Sequence, residues 1–168
     1  MAKAELLKDF ILKWEGGFSD HPADRGGATN KGITLATFQQ FYGKDSTVDD
    51  LRSMTDAQWL HIFKTGYWDR WKADEIESQS VANILVDWVW ASGVYGIKEP
   101  QKLLGLTADG IVGPATLKAV NSQDAKEFFE KLKEARISFV ERIVASNPSQ
   151  KVFLNGWKNR INDFKFIG

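Results

Sequence analysis

The chain has 168 residues, no net charge at pH 7 and no cysteine, and 43% of it is hydrophobic, with seven Trp. That composition supports a folded core and excludes a disordered chain, while the lack of cysteine removes disulfides, thiolate metal sites and thiol nucleophiles. Two histidines, His21 and His61, are too few for a three-His zinc site, so neither a metal nor any other cofactor is expected. Residues 1–122 carry 13 Lys and Arg against 16 Asp and Glu, and residues 123–168 carry 9 against 6. Neither part is basic enough to follow a phosphate backbone, so no nucleic-acid partner is expected.

The opening residues MAKAELLKDF hold no uncharged apolar run, and no stretch of about 18 apolar residues follows. The expectation is a chain made in the cytoplasm without a signal peptide or an integral membrane segment. It would reach anything outside by lysis or through a helper. Nothing in the pattern asks for more than a monomer.

Residues 4–15, AELLKDFILKWE, place Leu6, Phe10 and Trp14 at i, i+4, i+8 with Leu7 and Ile11 beside them, which predicts an amphipathic helix. Gly16 and Gly17 end it, leaving Glu15 in the last turn, where the helix dipole disfavours a negative charge. Residues 14–34, WEGGFSDHPADRGGATNKGIT, contain five glycines and Pro22, and so predict tight turns with two or three short strands. A helix follows at about 35–43. Thr47 reads as the N-cap of a short helix with Asp49 and Asp50 in its first turn, and Thr55 as the cap of a longer one through Trp71. That helix carries an apolar stripe of Trp59, Ile62, Phe63 and Tyr67.

Ser80 opens SVANILVDWVWASG, a helix with Val81, Ile84, Leu85, Trp88 and Val89 on its buried face and Asp87 as an isolated carboxylate among them. Such a carboxylate is expected to be paired within the core. Asp109-Gly110 predicts a turn, and Gly113-Pro114 the start of a helix. Residues 122–146 predict one long helix with Phe128, Phe129, Leu132, Ile137, Phe139, Val140 and Ile143 inward. Pro148 separates it from a last helix with Phe153, Leu154, Trp157 and Ile161.

The chemistry concentrates in residues 14–34. Cleaving a glycosidic bond takes one carboxylic acid to protonate the leaving oxygen and a second group to stabilise the oxocarbenium-like transition state or to steer water. Glu15, beside a Trp at a helix end, suits the first task. Asp24, in a polar turn that keeps it ionised, suits the second. Lysozyme divides the labour between its two carboxylates in the same way, one in an apolar setting and one in a polar setting. Thr29 offers a hydroxyl to hold the attacking water. Asp20, Tyr67 and Trp68 are candidates for contacting sugar, the aromatic rings by stacking on pyranose faces.

The same segment strongly resembles the glutamate-glycine-glycine signature of glycoside hydrolase family 108, the bacterial and phage N-acetylmuramidases, with Glu15 falling on the family's catalytic glutamate. The Glu15, Asp24, Thr29 order is also similar to that of phage-type lysozymes, with the Asp24-to-Thr29 gap one residue shorter. From about Val81 to Trp157 the chain resembles the peptidoglycan-binding module that usually follows, through LGLTADGIVGPATLKAV and NPSQKVFLNGWKNRI. Where that module has Asn before Ser-Gly, this chain has Ala91, which removes a polar wall contact.

The resemblance implies a mainly α fold with a small β/turn lobe, a lysozyme-like α+β arrangement of two lobes sharing one interface. Residues 1–78 would form the catalytic region and 79–168 the helical peptidoglycan-binding-like region, with a soft boundary near 76–80. It implies an endolysin acting on peptidoglycan glycan strands, at the bond between N-acetylmuramic acid and N-acetylglucosamine. Two other functions fit the same residues: a lytic transglycosylase, which needs one acid and no second carboxylate, and a wall-binding protein without catalysis.

Overall fold

The computed structural model describes residues 1–20 and 27–167. It is mainly helical with one small antiparallel sheet, and it divides into two compact units. One comprises Ala4–Gly66, the other Met1–Lys3 with Tyr67–Gly168. Among the described residues, no helix is long and apolar enough to cross a membrane.

The first unit begins with α1 (Glu5–Glu15), closed by Gly16 at φ 75, whose N–H donates to the Leu12 carbonyl. Its buried residues are Leu7 and Ile11, while Leu6 is 62% exposed and Phe10 and Trp14 are half-buried. The helix therefore buries Leu7 and Ile11, which the expected stripe included, together with Ala4, and leaves the Leu6–Phe10–Trp14 row at the edge of the packed face. Both rows have helical spacing, and only the packing partners choose between them.

Strands β1 (Phe18–Ser19), β2 (Thr29–Asn30) and β3 (Ile33–Thr34) form the sheet in that order. Lys31 and Gly32 join β2 to β3 with φ of 52 and 84. Two consecutive positive-φ residues are the turn geometry that matches the twist of a tight hairpin. Helices α2 (Leu35–Tyr42), α3 (Val48–Arg52) and α4 (Asp56–Phe63) start at Thr34, Thr47 and Thr55, and each of these hydroxyls accepts a main-chain N–H of the first turn. Thr47 and Thr55 complete capping boxes with Asp50 and Gln58. Ile33, Phe38, Leu51, Trp59, Ile62 and Phe63 join Leu7 and Ile11 in the core.

The helix expected to run on from Thr55 to Trp71 stops being regular at Phe63. A π-helical turn, Lys64–Trp68, and a 3-10 turn, Asp69–Trp71, follow it. The boundary between the two units falls inside this irregular stretch.

The second unit is built on α5 (Gln79–Ser92), which packs on α6 (Tyr95–Leu103) and α8 (Ala125–Ser146). Residues Val81, Ile84, Leu85, Trp88 and Val89 are buried as expected. The cap of α5 is Ser78, whose hydroxyl accepts the Val81 N–H; Ser80 is buried and its Oγ accepts the Ile167 N–H instead. Gly96 lets α6 approach α5 closely, since a Cβ there would overlap the main chain of Trp88 and Val89. Pro100 has no N–H for the Gly96 carbonyl four residues back. Trp71 Nε1 donates to that carbonyl instead, at 3.1 Å. Helices α7 (Pro114–Asn121) and α9 (Lys151–Asn162) complete the unit.

Asp87 is fully buried and paired, as expected of an isolated core carboxylate. Arg160 Nη2 donates to its Oδ1 at 2.7 Å, and Arg136 Nη1 lies 2.8 Å from Oδ2 at ion-pair distance, though its N–H is not aligned as a hydrogen bond. Arg136 is therefore the inward residue of α8 at a position where apolar spacing points to Ile137.

Candidate active site

Glu15 is the last residue of α1 and half-buried. The turn at Gly16 sends the chain directly into β1, and the Gly17 carbonyl accepts the Lys31 N–H at 3.3 Å, which ties this exit to the β2–β3 turn. The ladder then pairs Phe18 with Asn30 and Ser19 with Thr29, and β2 pairs Thr29 with Thr34 and Asn30 with Ile33.

Directly opposed residues project to one face of a sheet. Phe18, Asn30 and Ile33 therefore share one face, and Ser19, Thr29 and Thr34 share the other. The first face is anchored. Asn30 and Ile33 are buried, Asn30 Nδ2 donates to the carbonyls of Leu51 and Arg52, and the Arg52 guanidinium lies 4.6 Å over the Phe18 ring. The second face is a row of three hydroxyls, exposed at Ser19 and half-buried at Thr29 and Thr34. Thr34 is engaged as the cap of α2, donating to Thr37 Oγ1 and accepting the Thr37 N–H.

The fold thus brings Glu15 and Thr29 into one unit, through a helix end and a three-strand sheet only a few residues apart in chain and register. Asp20, also in this unit, is exposed immediately after β1. Asp24 and His21 lie outside the described residues. The hydroxyl of Ser19 beside Thr29 is a site candidate that sequence reasoning missed. Alternation within a two-residue strand is too short a signal to show which face it takes.

Tyr67 and Trp68 belong to the other unit. Trp68 has no exposed surface and its Nε1 donates to Asp74 Oδ1 at 2.9 Å, so it is a core residue there and presents no ring face for a sugar. This corrects the stacking role expected of it; a large aromatic at helical spacing is filling the interior. Tyr67 is half-buried, with its ring 4.7 Å from that of Trp90. Burial pushes its hydroxyl above the ordinary tyrosine range, with the nearby Arg70 charge opposing the shift.

Two family models match the chain. Glycosyl hydrolase 108 covers residues 8–93 and Predicted Peptidoglycan domain covers 95–162. The first match thus takes in the whole Ala4–Gly66 unit from Lys8 onward together with α5, and the second starts at α6. Among solved structures the chain is similar to one described as the structure of Brucella abortus SagA. The two are 28% identical with a TM-score of 0.75, over 96% of this chain and 94% of that one. No curated protein matches the chain.

Proposed function

Because the chain belongs to the glycosyl hydrolase 108 family and is a glycoside hydrolase acting on peptidoglycan, we propose that it is an N-acetylmuramidase, with Glu15 as its general acid. The enzyme would hydrolyse the β-1,4 bond between N-acetylmuramic acid and N-acetylglucosamine. The observation that carries this reading is the position of Glu15 at the tip of α1, immediately before the turn at Gly16 that leads into the sheet bearing Ser19 and Thr29.

In the proposed reaction the Glu15 carboxyl donates its proton to the bridging oxygen as the bond from that oxygen to the anomeric carbon breaks. Positive charge develops on the sugar ring and is met by the ionised Asp24 carboxylate. Water adds to the anomeric carbon, its second proton leaves to a carboxylate, and a new reducing end results. Thr29 holds the water through its hydroxyl, with Ser19 beside it. Asp20 contacts the glycan at the exposed end of β1. Made in the cytoplasm, the protein would meet its substrate at the wall after release.

Digestion of purified peptidoglycan followed by mass spectrometry tests the bond and the attacking group together. Muropeptides ending in reducing N-acetylmuramic acid are the expected product. Ends carrying a 1,6-anhydro ring would instead identify a lytic transglycosylase, in which the sugar's own 6-hydroxyl replaces water. Glu15→Gln should lower turnover by about three orders of magnitude or more; wild-type turnover in that variant would remove Glu15 from the mechanism.

A further inference from the structure

Helices α6 and α8 of the second unit enclose an open depression of about 350 Å³ lined by Glu99, Phe139, Arg142, Ile143, Ser146 and Asn147. We propose that this depression binds the stem peptide of peptidoglycan, at the side chain of its diamino acid. The inference rests on the peptidoglycan-hydrolase reading and adds to it a recognition site apart from the sheet.

The argument is one of charge. Arg142 Nη2 donates to Glu99 Oε1 at 3.2 Å, and the Arg142 side chain is still 63% exposed. A guanidinium has five N–H donors in a planar fork, so this contact leaves donors for an incoming carboxylate. Glu99 is 13% exposed at the same contact. Beside it α8 ends at Ser146, where the helix dipole is negative, with the Asn147 N–H closing the last turn on the Ile143 carbonyl. The Glu99 side of this ion pair therefore suits an ammonium and the Arg142 side a carboxylate.

The floor is aromatic. Phe139 stands edge-on to Trp88 at 5.6 Å, carries the Arg142 guanidinium at 5.8 Å and is flanked at 5.9 Å by Tyr95, itself 54% exposed. Asn147 is held by the Ser149 hydroxyl, which donates to its Oδ1 at 2.6 Å, so its amide N–H groups are oriented donors. An alkyl chain bearing an ammonium and a carboxylate on one carbon matches this arrangement, and a diaminopimelate residue of a stem peptide presents that group. The sugars of a peptide-bearing strand are uncharged, because the lactyl carboxyl of muramic acid is used in the amide bond to the peptide. Charge complementarity thus favours peptide over glycan.

The test is a titration of the full chain, followed by nuclear magnetic resonance, with the tripeptide L-Ala-γ-D-Glu-meso-diaminopimelate and, separately, with N-acetylglucosamine tetramer. The tripeptide is expected to shift the Arg142 Nε–H and Asn147 side-chain amide signals saturably, and the tetramer to leave them in place. Arg142→Ala and Glu99→Gln should each weaken tripeptide binding about fivefold, the scale of one exposed charge pair, and the variant spectra themselves report that the fold persists. Unchanged affinity in both variants, shifts confined to other residues, or equal shifts with the tetramer would overturn the proposal. Product analysis of digested sacculi runs in parallel. Muramidase products without a tripeptide shift would sink this site alone, and a tripeptide shift without such products would sink the bond assignment alone.

Discussion

Asn30 donates its side-chain amide to the Leu51 carbonyl at 2.9 Å, and so ties the middle strand of the sheet to the last turn of α3. The same amide reaches the Arg52 carbonyl at 3.3 Å. The Leu51 carbonyl also accepts the Met54 N–H at 3.1 Å, so the Asn30 amide is a second partner there. The bond serves α3 and, one residue away, fixes the position of Thr29. Asn30→Ala removes two hydrogen bonds made by a buried side chain, although Leu51 keeps the Met54 N–H, and should cost about 1–3 kcal/mol. It should also lower kcat, because the hydroxyl face would lose its anchor while Glu15 is untouched. Urea unfolding and steady-state kinetics on soluble peptidoglycan fragments check the two parts. Undiminished stability would show that the strand is held by other contacts.

Asp24 and Thr29 are expected to matter less than Glu15, and unequally. An electrostatic or water-orienting carboxylate is worth about 10²-fold in turnover, so Asp24→Asn should fall between the wild type and Glu15→Gln in a clearing assay on peptidoglycan. Thr29→Val keeps the branched shape that suits a strand and removes the hydroxyl. A loss in kcat with a normal thermal midpoint would mark that hydroxyl as functional. If Asp24→Asn and Glu15→Gln both keep wild-type turnover, the catalytic pair lies elsewhere.

A pH dependence is expected from the loop before α7. Asp109 accepts the Ile111 N–H at 2.9 Å and Gln101 Nε2 at 3.1 Å, and these bonds, the Ile111 N–H foremost, hold its carboxyl below the ordinary aspartate range. Gln101, almost wholly buried, also binds the Ile111 carbonyl, Thr116 and the Gly110 N–H. A depressed carboxyl contributes stability that is present above its unfolded pKa, about 3.9, and is lost as pH falls through the lower folded value. Asp109→Asn removes that contribution. The gap in urea midpoint between wild type and variant should therefore be constant above about pH 5 and shrink below about pH 4. A gap of equal size at pH 7 and pH 3 would contradict the assignment.

The features that were legible in the sequence are local ones. Thr47 and Thr55 announce their helices because a hydroxyl before an acidic or amide residue three positions on satisfies the first turn from within the same turn. Pro114 does so because its fixed φ suits a first helical position. The buried face of α5 was legible because its apolar positions repeat over fourteen residues. Glu15 stood out for the glycines after it, and the helix does end there.

What escaped the sequence depends on partners far along the chain. Helix α6 was not among the expected elements: it contains Pro100, and the Gly96 carbonyl that Pro100 leaves without an N–H is met by Trp71, twenty-five residues away from Gly96. Trp68 looked available for sugar because an aromatic stripe does not say which ring is enclosed. Burial of Arg136 contradicts its residue type until Asp87 is placed opposite it.

That buried group gives the last prediction. Asp87 is fully enclosed between Arg136 and Arg160, whose side chains are 4% and 14% exposed. Burial holds the Arg136 guanidinium below its usual range, with the Asp87 charge acting against that shift. The guanidinium also lies 5.9 Å over the Phe164 ring. Removing the shared anion leaves two cations facing each other in a dry setting, a loss on the order of 3–5 kcal/mol when one partner of a buried pair is deleted. Asp87→Ala should accordingly be among the most destabilising substitutions in the second unit. Arg136→Met should cost less, since Asp87 keeps both contacts from Arg160, at 2.7 and 3.3 Å. Combining Asp87→Ala with Arg136→Met should cost less than the two single changes added together, because the second change removes a charge that the first stranded. Urea unfolding of the three variants measures that coupling. Strict additivity would mean that the two side chains, despite their 2.8 Å separation, contribute independently.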